Sequence, residues 1–259
     1  VQSNHARQTV AAAARVGMKC KILLEQRVPN ATEDYEQSGN VMLDLLMGGE
    51  ITARLPSGTD MQQAMETLAA ELRSAGSKPY IIPGGGSTPI GALGYVACAQ
   101  ELLTQSFETG VRIDHVVHAT GSAGTQAGLL IGLSGGTGVS VYGVSVSAAK
   151  AVQEDRIWKL VQATVDYMGL PVGLVARTSV VSDSDYVGAG YGIPNDAMVE
   201  AVKLTARHEA ILLDPTYSGK CMAGLIALIR HGHYRKGENV VFIHTGGSVG
   251  LFAYRKAFA

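Results

Sequence analysis

The stretch of sequence that decides the fold is His118-Ala-Thr-Gly-Ser-Ala-Gly-Thr-Gln-Ala-Gly-Leu-Leu130. Before it comes the β-branched run Val111-Arg-Ile-Asp-His-Val-Val117, which predicts a buried strand. The apolar C-terminal end of the quoted stretch predicts the start of a helix. The turn between them is Gly121-Ser-Ala-Gly-Thr125. Backbone N–H groups in such a turn can bind an anion, and the hydroxyls of Ser122 and Thr125 add donors. We therefore predict a phosphate site at this turn.

A second interpretation of the turn stays open, because any tightly packed α/β unit needs small residues where a strand leads into a helix. The spacing of Gly121, Gly124 and Gly128 does not give the dinucleotide pattern G-x-G-x-x-G, and no lysine follows as in a P-loop. If the turn binds a ligand, we expect a phosphate-bearing cofactor held mainly by the backbone, and not a nucleoside triphosphate.

The composition excludes several classes of protein. Of the 259 residues, 46% are hydrophobic and 17% are charged, which predicts a sizeable core, and the net charge of −1 argues against binding to nucleic acid. No apolar run approaches the roughly 20 residues of a membrane span. The cysteines Cys20, Cys98 and Cys221 are widely spaced, so we expect reduced thiols in a cytoplasmic protein and no metal site.

Predicted strands and helices alternate along the chain, which indicates an α/β fold with two open, mostly parallel sheets flanked by helices. A Gly/Pro-rich stretch at 83–89 suggests a boundary between a smaller domain, 1–87, and a larger cofactor-binding domain, 88–259. Glycine turns at 83–87, 121–125 and 244–248 each follow a predicted strand, the first of them at 79–82. In parallel sheets ligands bind beyond the carboxyl ends of the strands, so we expect these turns to meet at one edge.

Several hydroxyl and amide side chains lie at predicted strand ends. They are Ser3, Asn4, Thr120, Ser122, Thr125, Tyr217, Ser218 and Thr245. Such a set can bind a polar planar cofactor that carries out the electronic chemistry itself. Tyr217 could instead be a buried tyrosine with a bonded hydroxyl, and Thr245 could be a strand-end cap.

Five motifs that occur in order carry a resemblance to a known family. They are Gln2-Ser-Asn-His-Ala-Arg-Gln-Thr9, Pro83-Gly-Gly-Gly-Ser87, Ala119-Thr-Gly-Ser-Ala-Gly-Thr-Gln-Ala-Gly128, Leu213-Asp-Pro-Thr-Tyr-Ser-Gly-Lys220 and His244-Thr-Gly-Gly-Ser248. Together they resemble the 1-aminocyclopropane-1-carboxylate (ACC) deaminase/D-cysteine desulfhydrase family over essentially the whole chain. That family consists of pyridoxal-phosphate enzymes with the tryptophan synthase β-like fold (fold type II). The resemblance implies pyridoxal 5′-phosphate as cofactor, an amino-acid substrate and a homodimer.

The resemblance also implies roles for individual residues. Those expected to bind the cofactor are Gly121, Ser122, Ala123, Gly124 and Thr125 at its phosphate, Asn4 at its 3′-oxygen and Thr245 at its pyridine nitrogen. Those expected to act in catalysis are Ser3 and Tyr217. Those expected to contact the substrate or its leaving group are Gln2, Ser3, His5, Ser87, Tyr191 and Ser218.

The family's Schiff-base lysine is not among these residues. In the family it lies in a Gly-Gly-Asn-Lys segment upstream of the Ser3-Asn-His5 motif, and Lys19, Lys21 and Lys220 do not match that position. The chain also begins at Val1 without an initiator methionine. We therefore expect the Schiff-base lysine on an N-terminal segment that precedes Val1.

Two positions favour carbon–sulfur lyase chemistry over ring opening. The family's deaminases have an acidic residue and a leucine where this chain has Ser218 and Thr245. The motifs are most similar to those of L-cysteate sulfo-lyases, which predicts conversion of L-cysteate to pyruvate, sulfite and ammonia. The alternative is a D-cysteine desulfhydrase, which releases sulfide. Two alternatives of another functional class stay open: a non-catalytic pyridoxal-phosphate-binding protein, and a protein that binds a flavin or nucleotide.

Overall fold

The computed structural model describes residues 1–259, and the chain divides into two compact units. The first unit comprises Val1–Gly86 and Ser248–Ala259, and the second comprises Ser87–Gly247. The division into domains 1–87 and 88–259 stays a prediction. By its contacts, the C-terminal segment Ser248–Ala259 packs with the first unit, although that prediction assigned it to the larger domain.

The chain contains ten α-helices and six strands. The helices are α1 (Asn4–Arg15), α2 (Glu33–Gln37), α3 (Asn40–Leu46), α4 (Met61–Ser74), α5 (Pro89–Thr109), α6 (Gly124–Gly132), α7 (Lys150–Tyr167), α8 (Asp196–Glu209), α9 (Ser218–Arg230) and α10 (Gly250–Ala253). The strands are β1 (Lys21–Gln26), β2 (Glu50–Pro56), β3 (His115–Thr120), β4 (Ser140–Ser145), β5 (Val181–Asp183) and β6 (Val240–Ile243). No helix combines the length and the apolar character that crossing a membrane requires.

The first unit is built on the parallel pair β1–β2. Its helix α1 begins where the Ser3 Oγ accepts a hydrogen bond from the Ala6 N–H at 3.1 Å, because a serine cap satisfies a donor that the helix itself cannot. The buried core of the unit includes Val10 of α1, Leu24 of β1 and Tyr254 near the C-terminus. The C-terminal segment therefore belongs to this core.

The second unit contains a four-stranded parallel sheet with strand order β5-β4-β3-β6. Successive side chains of a strand point to opposite faces, so Val116 and Val117 of β3 enter different clusters. Val116 packs with α6 and α7 residues such as Leu129 and Ile157, whereas Val117 packs with Leu225 of α9. Both faces are covered, which explains the nearly continuous apolar character of this strand.

Helices α5 and α6 pack closely because two glycines of α6 face α5. A Cβ at Gly128 would lie 2.4 Å from the Ala92 carbonyl oxygen, and one at Gly132 would lie 2.5 Å from the Ala99 Cβ. This close approach fixes α6, and with it the turn that precedes it, against the rest of the unit.

The prediction of parallel sheets flanked by helices is confirmed, but the predicted strand at 79–82 is wrong. Residues 79–82 form no strand. Tyr80 and Ile82 are 77% and 42% exposed, and a parallel strand needs neighbours on both faces. Consequently the glycine turn at 83–87 does not follow a strand, whereas the turns after β3 and β6 do.

Candidate active site

The turn between β3 and α6 presents backbone donors that its own N-cap residue does not satisfy. The strand ends at Thr120 and the helix begins at Gly124, and Ala123 between them adopts a left-handed conformation with φ 79°. No side chain caps α6 at Ala123, and the Gly124 N–H donates to the Ser87 Oγ at 3.0 Å. A helix N-terminus of this kind attracts an anion through its N–H groups and its dipole.

Packing beneath turn 121–125 holds it in place. Thr120 is buried, and its Oγ1 accepts a hydrogen bond from Gln153 Nε2 at 2.9 Å. A Cβ at Gly121 would lie 3.2 Å from Val146 Cγ2 and 3.8 Å from Tyr217 Cε1. The Tyr217 ring therefore lies directly beside the predicted phosphate site.

A buried carboxylate fixes the backbone of Tyr217. Asp214 accepts hydrogen bonds from the backbone N–H groups of Thr216, Tyr217 and Ser218 at 2.9, 2.9 and 2.7 Å, and from the Ser218 Oγ at 2.8 Å. Burial raises the pKa of Asp214, and the hydrogen bonds from Ser218 and Tyr217 oppose that shift. The Ser218 Oγ also accepts from the Asp214 N–H, so both roles of this hydroxyl are already used.

The phenol of Tyr217 is hydrogen-bonded to the phenol of Tyr191. Their rings meet edge to face, with centroids 5.7 Å apart and planes at 74°. Tyr191 lies in the segment between β5 and α8. Because either phenol can be the donor, the pair can hold a proton or pass it on beside turn 121–125.

The turn after β6 lies at the same edge of the sheet. Strands β3 and β6 are parallel neighbours, with His118 opposite Ile243, so their carboxyl ends are adjacent. Half-buried Thr245 follows at this end, next to Gly246 and Gly247, whose φ values are 85° and 94°. The structure thus brings together turn 121–125, Thr245 and Tyr217 within the second unit.

In the first unit, a hydrogen-bond chain orients Asn4. The Arg7 Nε donates to Asn40 Oδ1 at 2.8 Å, and Asn40 Nδ2 donates to Asn4 Oδ1 at 2.7 Å. Since Asn40 is 1% exposed, this chain fixes the Asn4 amide with its oxygen used and its NH₂ donors left to bind an acceptor. Ser3, the neighbouring residue, caps α1 and retains its own hydroxyl proton.

Two other predicted residues of the first unit are less available to an anion. The Gln2 Nε2 donates to the carbonyls of Tyr35 and Ser38 at 2.7 and 2.8 Å, and its Oε1 accepts from the Asn40 N–H at 2.9 Å. Burial lowers the pKa of His5, which favours the neutral imidazole. Substrate contacts of Gln2, His5, Ser87, Tyr191 and Ser218 remain predictions.

Three residues near these sites were not predicted from the sequence. Asn40 orients Asn4, Asp214 holds the Tyr217 backbone, and Lys220 is completely buried in α9. The Asp-Pro-Thr order at 214–216 is a signal for a turn in which the aspartate accepts backbone N–H groups. For Asn40 and Lys220 the sequence holds no comparable local signal.

The chain is similar to known proteins over nearly all its length. A family model described as pyridoxal-phosphate dependent enzyme matches residues 1–246. The D-cysteine desulfhydrase of Salmonella paratyphi C is 44% identical over 255 residues, which cover 98% of this chain and 76% of that protein. The D-cysteine desulfhydrase of Salmonella typhi is 43% identical with the same coverage.

Solved structures show the same similarity. The crystal structure of an ACC deaminase homologue superposes with a TM-score of 0.86 at 35% identity, and the match covers 99% of this chain and 74% of that one. Diaminopropionate ammonia lyase of Escherichia coli matches with a TM-score of 0.65 over 100% of this chain and 66% of its own. At 15% identity, this second likeness concerns the fold alone.

Proposed function

Because the chain belongs to the pyridoxal-phosphate dependent enzyme family, with its tryptophan synthase β-like fold, we propose that it is a carbon–sulfur lyase acting on D-cysteine. The family and the fold agree with those predicted from the motifs. The observation that carries the proposal is the Tyr191–Tyr217 pair beside turn 121–125, in a chain 44% identical to a D-cysteine desulfhydrase. The products would be pyruvate, sulfide and ammonia.

The residues present fit pyridoxal phosphate. We assign its phosphate to the N-terminus of α6 with residues 121–125 and its pyridine nitrogen to the hydroxyl of Thr245. The family resemblance alone assigns its 3′-oxygen to Asn4, whose NH₂ group is left to bind an acceptor. When bound, the cofactor supplies an electron sink for the pair left at the substrate Cα when its proton departs. A neutral hydroxyl such as that of Thr245 leaves the pyridine nitrogen largely unprotonated, which suits β-elimination.

The protein's own residues would then move protons and hold the reacting groups in place. We assign to the phenol of Tyr217 a proton transfer at the substrate amino group or Cα, with Tyr191 as its hydrogen-bond partner. Ser3 is assigned to the substrate carboxylate or to proton transfer, through the hydroxyl proton that capping leaves free. The Asp214 hydrogen bonds keep Tyr217 in place during this step.

The sequence resemblance favoured L-cysteate, but the relatives and the local chemistry support D-cysteine. Cysteate carries a permanent sulfonate charge, which needs free donors or a cation. The residues predicted for that anion include Gln2, whose amide donors are both used, and His5, whose pKa burial lowers. A thiol substrate needs neither free donors nor a cation, and the two relatives described above are named D-cysteine desulfhydrases.

A paired assay of the full-length protein with pyridoxal phosphate tests this proposal. D-Cysteine and L-cysteate are supplied separately, and pyruvate, sulfide and sulfite are measured. We expect pyruvate with an equal amount of sulfide from D-cysteine and no sulfite from L-cysteate. Sulfite from L-cysteate without sulfide from D-cysteine would refute the proposed substrate and identify L-cysteate instead. Bound cofactor without pyruvate from either compound would favour the non-catalytic binding protein.

We also propose a cytoplasmic homodimer, which rests on the family resemblance. Light scattering after gel filtration tests the assembly, since a dimer is expected to have twice the mass of the full-length chain. A monomer that turns over D-cysteine would refute it.

A further inference from the structure

Lys220 is the only lysine of the chain that is buried, and its relative exposure is 0%. It lies in α9, in the same first turn that follows Tyr217. It forms no ion pair, and its Nζ donates to the backbone carbonyls of Val187 at 2.7 Å and Gly190 at 2.8 Å. Burial lowers its pKa from 10.5 to about 8. A buried amine without an ion-pair partner costs free energy to remove from water, so an apolar side chain would destabilise the core less.

The two carbonyls belong to segment 186–193, which lies between β5 and α8 and contains no helix or strand. Three of its residues, Gly188, Gly190 and Gly192, have φ values of 66°, 149° and 72°, a left-handed backbone that favours glycine. Asn195 Nδ2 donates to the Tyr186 carbonyl at a longer 3.4 Å. The backbone hydrogen bonds of the segment are local turns, from the Val187 N–H to the Ser184 carbonyl and from the Ile193 N–H to the Gly190 carbonyl. Side-chain donors therefore connect it to the residues around α8 and α9.

Tyr191 follows directly after Gly190, the second carbonyl that Lys220 binds. The phenol of Tyr191 is hydrogen-bonded to that of Tyr217, which immediately precedes α9. One end of α9 thus contacts the segment twice, through the Lys220 ammonium and through Tyr217. Loss of the ammonium would free the backbone beside Tyr191 without touching either phenol.

We propose that Lys220 is a positioning residue, whose ammonium holds segment 186–193 so that the Tyr191 phenol stays against that of Tyr217. This inference rests on the proposed function, because it takes Tyr217 as the group that meets the substrate. Lys220 itself is fully buried and contacts neither substrate nor cofactor in this role.

The test compares the full-length, cofactor-loaded enzyme with its Lys220→Met variant, which keeps a similar side-chain length and loses the amine. Lys203→Met is the matched control, because Lys203 lies on the neighbouring helix α8 and its side chain forms no hydrogen bond or ion pair. Hydrogen–deuterium exchange is followed in peptides covering 186–193, and kcat and KM are measured with D-cysteine.

We expect faster exchange in 186–193 and a kcat lowered by about tenfold to a hundredfold in Lys220→Met, with KM changed less, because a small misplacement of a reacting group is costly. Tyr191→Phe should lower kcat in the same way, and the double variant should be no slower than the slower single one. Lys203→Met should match the wild type. Unchanged exchange in 186–193, or fully additive losses of kcat, would overturn the proposal.

A second variant covers the case in which Lys220→Met does not fold. Lys220→Ala is assayed with and without added ethylammonium, which can enter the vacated space and donate to the two carbonyls. Recovery of slow exchange in 186–193 with the amine supports positioning, and no recovery argues against it. Hydrogen–deuterium exchange needs no substrate. Faster exchange in 186–193 of the Lys220 variants, in a protein without lyase activity, would refute the proposed function and leave the positioning role of Lys220 standing.

Discussion

The phenol of Tyr217 is held from two directions, by the Asp214 hydrogen bonds to its backbone and by Tyr191 at its hydroxyl. We expect Tyr217→Phe to lower kcat for D-cysteine about a hundredfold or more, since a positioned proton donor contributes roughly that much. Pyridoxal-phosphate content should stay unchanged. Tyr234→Phe is the control, because the Tyr234 hydroxyl is buried without a partner and its loss should leave kcat unaltered. Equal kcat values for the two variants would refute the proton-transfer role assigned to Tyr217.

His118 makes stability depend on pH. It is fully buried on β3, and burial lowers its pKa to about 4, from an ordinary value near 6.5. Above pH 6.5 the imidazole is neutral in both the folded and unfolded states. Between about pH 6.5 and 4 only the unfolded state binds the proton, so the free energy of unfolding should fall by up to roughly 3 kcal/mol. Urea unfolding at pH 7.5 and 5 measures this, and His118→Gln should lose less stability on acidification. An equal loss in both proteins would refute the assignment.

The sequence predicted residues of the candidate site but not how they are held. Tyr217, Thr245 and turn 121–125 were predicted from their motifs, and the fold brings them to one edge of the sheet. Asn40 and Lys220 could not be found in this way, because their roles arise from contacts 36 and 30 or more residues away in the chain. The use of Gln2 and Ser218 by neighbouring backbone groups depends on the same three-dimensional packing.

At the scale of elements, a negative charge at the N-terminus of α6 should have opposite effects on cofactor binding and on helix stability. Thr125 lies in its first turn, where a negative charge stabilises a helix by about 0.3–1 kcal/mol. The same charge repels a phosphate. Thr125→Asp should therefore weaken pyridoxal-phosphate binding about tenfold or more, which corresponds to a loss of about 1.4 kcal/mol of binding free energy. The cofactor-free variant should be at least as stable as the wild type. Thr125→Asn controls for shape. Unweakened binding in Thr125→Asp would place the phosphate elsewhere.

The α5–α6 contact should tolerate no added methyl group. Gly128→Ala places a Cβ 2.4 Å from the Ala92 oxygen, and overpacking of this kind destabilises by about 1–3 kcal/mol. Gly94→Ala in α5 is the matched control, since a Cβ there meets nothing within 4 Å. That change should stabilise by about 0.5–1 kcal/mol through helix propensity. Thermal unfolding of the two variants should shift in opposite directions, and a shift in the same direction would contradict the packing described.

The sequence predicted the strands that precede turns 121–125 and 244–248, and the structure shows them as β3 and β6. The prediction failed at 79–82, where apolar residues suggested a strand. Tyr80 and Ile82 of this segment are exposed. Local hydrophobicity alone does not distinguish such a segment from a strand that has neighbours.

At the scale of the whole molecule, the two units have separate cores, and the chain returns to the first unit at Ser248. The α/β class and the parallel sheets follow from alternation along the sequence. The return of the C-terminal segment does not, because it depends on contacts between residues such as Tyr254 and Tyr35, at opposite ends of the chain.

The most direct test of the central claim, that turn 121–125 holds the phosphate of pyridoxal phosphate, is a crystal structure of the full-length protein with the cofactor. The account predicts phosphate density at the N-terminus of α6, within hydrogen-bond distance of the backbone N–H groups of 121–125, with Tyr217 beside it. Cofactor density at another place, or a phosphate bound away from α6, would contradict it.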